Sequence, residues 1–174
     1  IGGISLSLLI AGCFSIKPQS AKGGKKYFET FFVGEQGTQY FIKPLSFSSD
    51  QERDSEIRID FTFRYKDNVE QPFSMNYSII HPSKIIKSVD QLEIKGQGQE
   101  LSFEEHDLLF NEREKDLYES RFKTAGELQP LKELFNAPDW TIEVHTDGKD
   151  LKFTSSSRED KARTKLYENI FVLF

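Results

Sequence analysis

Residues 57–65 alternate without a break. Ile57, Ile59, Phe61, Phe63 and Tyr65 are apolar, and Arg58, Asp60, Thr62, Arg64 and Lys66 stand between and after them. A period of two with charge on alternate positions fits a pleated strand with one buried and one wet face, and fits no helix. The same rhythm returns in Phe73, Met75, Tyr77 and Ile79 between Pro72 and Pro82, in Leu92 and Ile94, and in Trp140, Ile142 and Val144. Further strand-like pieces lie at Leu101–Phe103, Leu108–Phe110, Leu117–Phe122 and Leu151–Phe153. Gly34-Glu35-Gln36-Gly37, the "GQGQ" stretch at 96–99 and Asp147-Gly148 supply turns between them.

Helical spacing is confined to the last third. Leu128, Leu131, Leu134 and Phe135 predict a short helix near 126–136 that Pro138 closes. Ala162, Leu166, Ile170 and Phe171 predict a second near 158–171, with Ser157 and Asp160 as an N-cap pairing. With 174 residues, no internal repeat and no second boundary, the expectation is one α+β domain over 27–174. It is mainly β, either an antiparallel sandwich or a curved sheet.

Charge narrows the partners. The net charge is −5, but Lys17, Lys22, Lys25 and Lys26 form a run without an acid, so the remainder carries −9. An acidic body argues against nucleic acid. Mean hydropathy of −0.54 suits a water-facing domain. Residues 13–26, with Pro18 and Gly23-Gly24, read as a basic tether.

The first ten residues contain Ile4, Leu6, Leu8, Leu9 and Ile10 and no charge. That run is too short to cross about 30 Å of hydrocarbon but suits the apolar region of a secretory signal. It ends in Leu9-Ile10-Ala11-Gly12-Cys13, the only cysteine of the chain. This stretch resembles the lipobox of bacterial lipoproteins. The resemblance implies that 1–12 is a signal peptide cut between Gly12 and Cys13, and that Cys13 carries the lipid. A thiol is what forms the thioether to diacylglycerol, and small neighbours admit the peptidase. Phe14 follows Cys13, and the first acid is Glu29. No Asp signals retention at the inner membrane, and no acidic cluster signals export to the surface. The resemblance thus points to the outer membrane, periplasmic side, with inner membrane and cell surface as alternatives.

Catalytic motifs are missing from the sequence. It has no Gly-rich phosphate loop, nucleophile elbow or histidine pair at metal spacing, and no cofactor is expected. His81, His106 and His145 read as surface histidines. Glu104, Glu105, His106 and Asp107 offer hard-cation ligands only if a tight loop gathers them, since neighbours on a strand face opposite ways. Otherwise they make a solvated acidic turn, as do Glu112, Glu114 and Asp116. Tyr27, Phe28, Phe31 and Phe32 crowd both faces of a first strand beside the tether. They form either a buried strand or an interface near the membrane. The C-terminal "NIFVLF" poses the same choice between packing and display.

Two functions are consistent with these residues. One is a non-enzymatic accessory lipoprotein docking onto an envelope or outer-membrane complex for assembly, secretion or uptake. The other is a ligand-binding or catalytic domain whose pocket is built from residues distant in sequence. Exposed apolar surface favours the first, and a concave apolar pocket the second. Cys13→Ala is expected to abolish acylation and release the protein from membranes. Continued tight membrane association in fractionation would refute the anchor.

Overall fold

A computed structural model describes residues 26–66, 69–146 and 148–173. The signal segment, Gly12, Cys13 and Lys17, Lys22 and Lys25 of the tether lie outside the described residues, as does Asp147 of the expected Asp147-Gly148 turn. Gly148 itself takes the left-handed φ of 71° that a tight turn requires.

The described residues form eleven strands and two helices. In chain order they are β1 (Phe28–Phe32), β2 (Thr38–Ser49), β3 (Glu56–Lys66), β4 (Val69–Glu70), β5 (Phe73–His81), β6 (Gln91–Gly96), β7 (Gln99–Phe103), β8 (Asp107–Glu114) and β9 (Leu117–Gly126). Then follow α1 (Leu128–Asn136), β10 (Thr141–Thr146), β11 (Lys149–Thr154) and α2 (Ser157–Asn169). All pair antiparallel in one sheet ordered β7-β6-β10-β11-β2-β3-β5-β9-β8, with β1 added to β2 and β4 to β3. The sheet curls into a half-barrel, so the curved sheet holds and the sandwich does not.

Pro44 explains one irregularity. It lies in β2, lacks an N–H, and sits in the register shift between Ile42 and Leu45. Before it, β2 pairs on its outer side with β1, and after it with β11 through Ser48 and Ser49. The bulge lets one long strand serve two neighbours.

The alternating strands place their apolar residues on the concave face, and the two helices fill it. Phe135 of α1 is the centre of that filling. Its ring lies 5.5 Å from Phe61, 4.9 Å from Trp140 and 4.5 Å from Phe171. Phe171 stacks on Phe63 at 5.5 Å and Trp140 on Phe47 at 6.2 Å. Aromatic contacts at these separations add directional attraction to burial. The helix end is also satisfied chemically, since a C-terminus leaves carbonyls without partners. Trp140 donates its indole N–H to the carbonyls of Leu134 and Ala137, and buried Arg163 of α2 donates to that of Phe135 at 2.6 Å.

The cap of α2 falls one residue before the predicted one. Ser156, not Ser157, accepts from the Arg158 N–H at 3.2 Å, and its hydroxyl bonds the Glu159 carboxylate. Glu is long enough to reach back to the cap, whereas Asp160 is drawn to the Ser155 hydroxyl at 2.9 Å. Ala162, Leu166, Ile170 and Phe171 are all buried as expected. However, α2 ends at Asn169, short of the expected 171, so Ile170 caps it and Phe171 opens a separate 3-10 turn, Phe171–Leu173.

Replacing Phe135 by Ala removes a ring from three aromatic neighbours and is expected to cost about 3–5 kcal/mol in urea unfolding. Leu109→Ala, on an exposed strand, should stay within about 0.5 kcal/mol. Equal losses would show that Phe135 does not organise the core.

Candidate functional site

The three histidines hold different positions, and only His145 has the surface setting predicted for all three. His81 ends β5 and is 2% exposed, so the surface reading is wrong for it. The Ser83 N–H donates to its Nδ1 at 3.1 Å, which leaves the ring proton on Nε2, facing the Glu52 carboxylate. Glu52 also accepts from Lys149 at 2.9 Å, and Ser55 donates to the Ile80 carbonyl at 3.2 Å. Ser83, His81 and Glu52 are the residue types of a nucleophile, base and acid. Yet Ser83 spends its own backbone N–H on the lone pair a base would need, and its Oγ stands 3.4 Å away. The group fastens the β2–β3 loop to the end of β5.

His106 is half-buried, a second departure from the surface reading. Its Nε2 donates to the Phe103 carbonyl at 3.0 Å, so Nδ1 accepts the Tyr77 hydroxyl at 2.8 Å. Both nitrogens are used, and the candidate cation cluster is not assembled around it. Glu104 and Glu105 remain exposed in the turn, and Asp107 begins β8. Desolvation raises the Tyr77 phenol far above its ordinary pKa and lowers that of His106, which the Phe103 carbonyl opposes.

On the outer face of β6, β10 and β11 the structure builds a cluster that sequence reasoning missed. Glu93 pairs across strands with Glu143, and His145 lies beside them, with ligand atoms of all three within 4.8 Å of one another. That spacing could suit a cation. The space between the carboxylates, however, is taken by the Lys95 ammonium, 2.6 Å from Glu93 and 2.8 Å from Glu143. Lys152 reaches Glu143 at 3.3 Å, and Asp150 holds His145 Nδ1 at 2.7 Å. Hydrogen bonds from Lys95 lower the pKa of both glutamates, and the bond to Asp150 raises that of His145. This is a cross-strand charge ladder with its cation built in.

Two clefts lined by described residues lie on the outer surface. One, of about 340 Å³, is bounded by Arg58, Ile80, Glu114, Leu117 and Glu119. The other, of about 420 Å³, runs between Phe31, Phe41, Lys43 and Asp60.

Apolar exposure is concentrated at strands with free edges. Of the four aromatic interface candidates, Phe28 is buried in the core and Tyr27 is half-buried, with Lys26 5.1 Å above its ring. Phe31 and Phe32 are 50% and 62% exposed, so neither a wholly buried strand nor a four-residue patch describes β1. Strand β8 is exposed at every residue, including Leu108, Leu109 and Phe110, and Leu117 of β9 stands next to it. Among the described residues β8 pairs only with β9, so its outer backbone edge is unpaired there. A bulge between Leu108 and Phe110 leaves Leu109 without a register partner. The C-terminal stretch divides in the same way, with Ile170 and Phe171 buried and Val172 and Leu173 exposed. The signal for β8 was present in sequence as three consecutive apolar residues beside charges, but only the strand order makes it an edge.

No known protein family, curated protein or solved structure matches this chain.

The histidines predict a pH dependence. Burial lowers the pKa of His81 and His106 below the ordinary value near 6.5, so the unfolded chain binds protons more readily there. Their contribution is present above pH about 6.5 and is lost as pH falls through their folded values. His145, with a raised pKa, acts in the opposite sense and contributes below about 6.5. Unfolding free energy is expected to fall from pH 7.5 to 5, and His81→Gln should flatten that slope. An unchanged slope in the variant would remove His81 from the account.

Proposed function

We propose that this chain is a lipid-anchored envelope protein that works by docking and not by catalysis. Acylated Cys13 would hold it on the periplasmic side of the outer membrane, and the domain would join an envelope complex as an accessory subunit. The observation that carries this reading is the placement of apolar surface. The concave face of the half-barrel, where a ligand chamber would be expected, is filled by Phe135, Trp140, Phe171 and the rest of the helical stripe. Apolar side chains are instead turned outward on β8 and on the β1–β2 hairpin.

Strand β8 suits one kind of partner contact. An unpaired strand edge offers N–H and C=O groups at regular spacing and accepts an extended segment as one more strand. Leu108, Leu109 and Phe110 would contribute apolar contact at one end of such a segment. At the other end Glu112, Arg113, Glu114, Lys115 and Asp116 alternate in sign and offer both charges to a partner. Long exposed edges invite aggregation, and natural proteins retain them where something covers them.

The test is gentle detergent extraction of the native lipoprotein from its own envelope, with mass spectrometry of what remains bound after a salt wash. A stoichiometric envelope protein is expected. Leu109→Asp should remove it while leaving urea unfolding within about 0.5 kcal/mol of the parent. A lone monomer that retains a small ligand would overturn docking in favour of a pocket.

A further inference from the structure

The three most exposed aromatic rings among the described residues all belong to the β1–β2 hairpin. They are Phe32 at 62%, Phe31 at 50% and Phe41 at 40%. Their arrangement differs from that of β8. Phe31 and Phe41 share the outer face, edge to face at 5.5 Å between ring centres. Phe32 is the next residue of an extended strand and therefore points to the opposite face, the side of Phe28 and Ile42. Val33 follows, 39% exposed, where the strand enters the turn Gly34–Gln36. The hairpin end is thus apolar on both faces and at its shoulder. A protein partner with one flat face would cover one side and leave the other ring in water. A medium that surrounds the hairpin would cover both.

The turn itself is held in shape. Gly37 has φ of 89°, and a Cβ there would lie 2.2 Å from the Tyr65 carbonyl oxygen. Arg64 of β3 donates to Gln36 at 2.5 Å and to Gln39 at 3.1 Å, which brings a guanidinium to the flank of the hairpin. Glu35 and Gln36 at the tip are too polar for hydrocarbon, so contact would stop at the headgroup boundary.

The position of the hairpin in the chain supplies the occupant. β1 is the first described strand after Cys13, and the fifteen peptide links from Cys13 to Phe28 span at most roughly 50 Å. Within them Lys17, Lys22, Lys25 and Lys26 carry +4 with no acid. Anionic headgroups attract such a run. A chain anchored at that distance meets the bilayer at an effective concentration on the order of millimolar, where a few apolar side chains suffice.

We propose that the β1–β2 hairpin is a membrane-contact surface, with Phe31, Phe32, Val33 and Phe41 seated at the headgroup boundary of the bilayer that holds the anchor. It rests on the lipid-anchor reading above and adds an orientation to it. The hairpin meets lipid, and β8, four strands further along the sheet from β2, is left for protein.

Val33→Cys tests this cleanly, because an acylated Cys13 leaves the new thiol alone. The full chain is labelled there with an environment-sensitive fluorophore and reconstituted in phosphatidylethanolamine vesicles containing one quarter phosphatidylglycerol. Leu109→Cys serves as the control. The expected result is blue-shifted emission and quenching by shallow spin-labelled lipids at position 33 but not at 109. Acylated protein with a water-like signal at 33 overturns the proposal while the anchor stands. The same signal in vesicles with shielding only in native envelopes overturns it too, and assigns the hairpin to a protein. In the reverse case, mass spectrometry finds no acyl chain, yet a Val33→Cys label placed in a Cys13→Ala background, where it is the one thiol, is quenched in vesicles. The hairpin proposal then stands and the anchor reading fails. In a full-length Cys13→Ala background, Phe31→Ser with Phe32→Ser should lower vesicle partitioning about tenfold or more.

Discussion

The fold depends on how α1 ends inside the curl of the sheet. A sheet bent this far encloses a volume that its own inward side chains do not fill, and an unfilled apolar interior is costly. Phe135 occupies the middle of that volume, touching a sheet residue, Phe61, an inter-element residue, Trp140, and the C-terminal Phe171. A helix end buried this way must also satisfy its last carbonyls, and Trp140 and Arg163 do so from two directions. Packing and hydrogen bonding therefore impose the same position on α1, and α2 follows because it carries Arg163 and leads directly into the turn Phe171–Leu173 that holds Phe171. The curl, the helices and the closed interior are one solution to one problem.

That solution has a consequence for function. With the concave face given over to core, binding capacity must come from the outer surface and the edges. The outer face of β6, β10 and β11 is a charge ladder in which Lys95 neutralises Glu93 and Glu143, so it is internally satisfied. The buried polar groups around His81 and His106 likewise have their partners within the protein and act as fastenings between loops and strands. Most of the exposed large apolar side chains among the described residues lie on the β1–β2 hairpin and on β8 with its neighbour Leu117, with Val172 and Leu173 at the C-terminal end and Ile85 in a loop besides. The hairpin and β8 differ in shape. The hairpin carries rings on both faces of a projecting turn, while β8 presents a backbone edge with side chains along it. Surfaces of such different form suit different media, and this is the physical basis for assigning lipid to one and polypeptide to the other.

Much of the fold was legible because a strand with one wet face writes its period directly into the chain. Residues 57–65 and 73–79 could be nothing else, and both helices were announced by spacing and by Pro138. The cap of α2 was missed by one position because three serines in a row, 155–157, offer equivalent starts. Only the reach of Glu159 against that of Asp160 decides between them. His81 was misread because a histidine before a proline at a strand end carries no local sign of burial. The Glu52 and Ser55 that enclose it come from a loop whose sequence, "SSDQERDS", reads as solvent-facing throughout.

By itself, then, the sequence determined the element types and carried the resemblance at Cys13, since each is encoded by residues within one turn or strand of one another. The tertiary structure decided which of those elements became edges. Whether Leu108, Leu109 and Phe110 are core or surface depends on β8 coming last in the strand order, and whether Phe31 and Phe32 are buried depends on β1 being an added strand paired only with β2 among the described residues. Register and strand order arise from contacts between residues tens of positions apart, and no local pattern records them. The same separation hid the Glu93–Glu143–His145 cluster, which exists only because β6 and β10 align in one register.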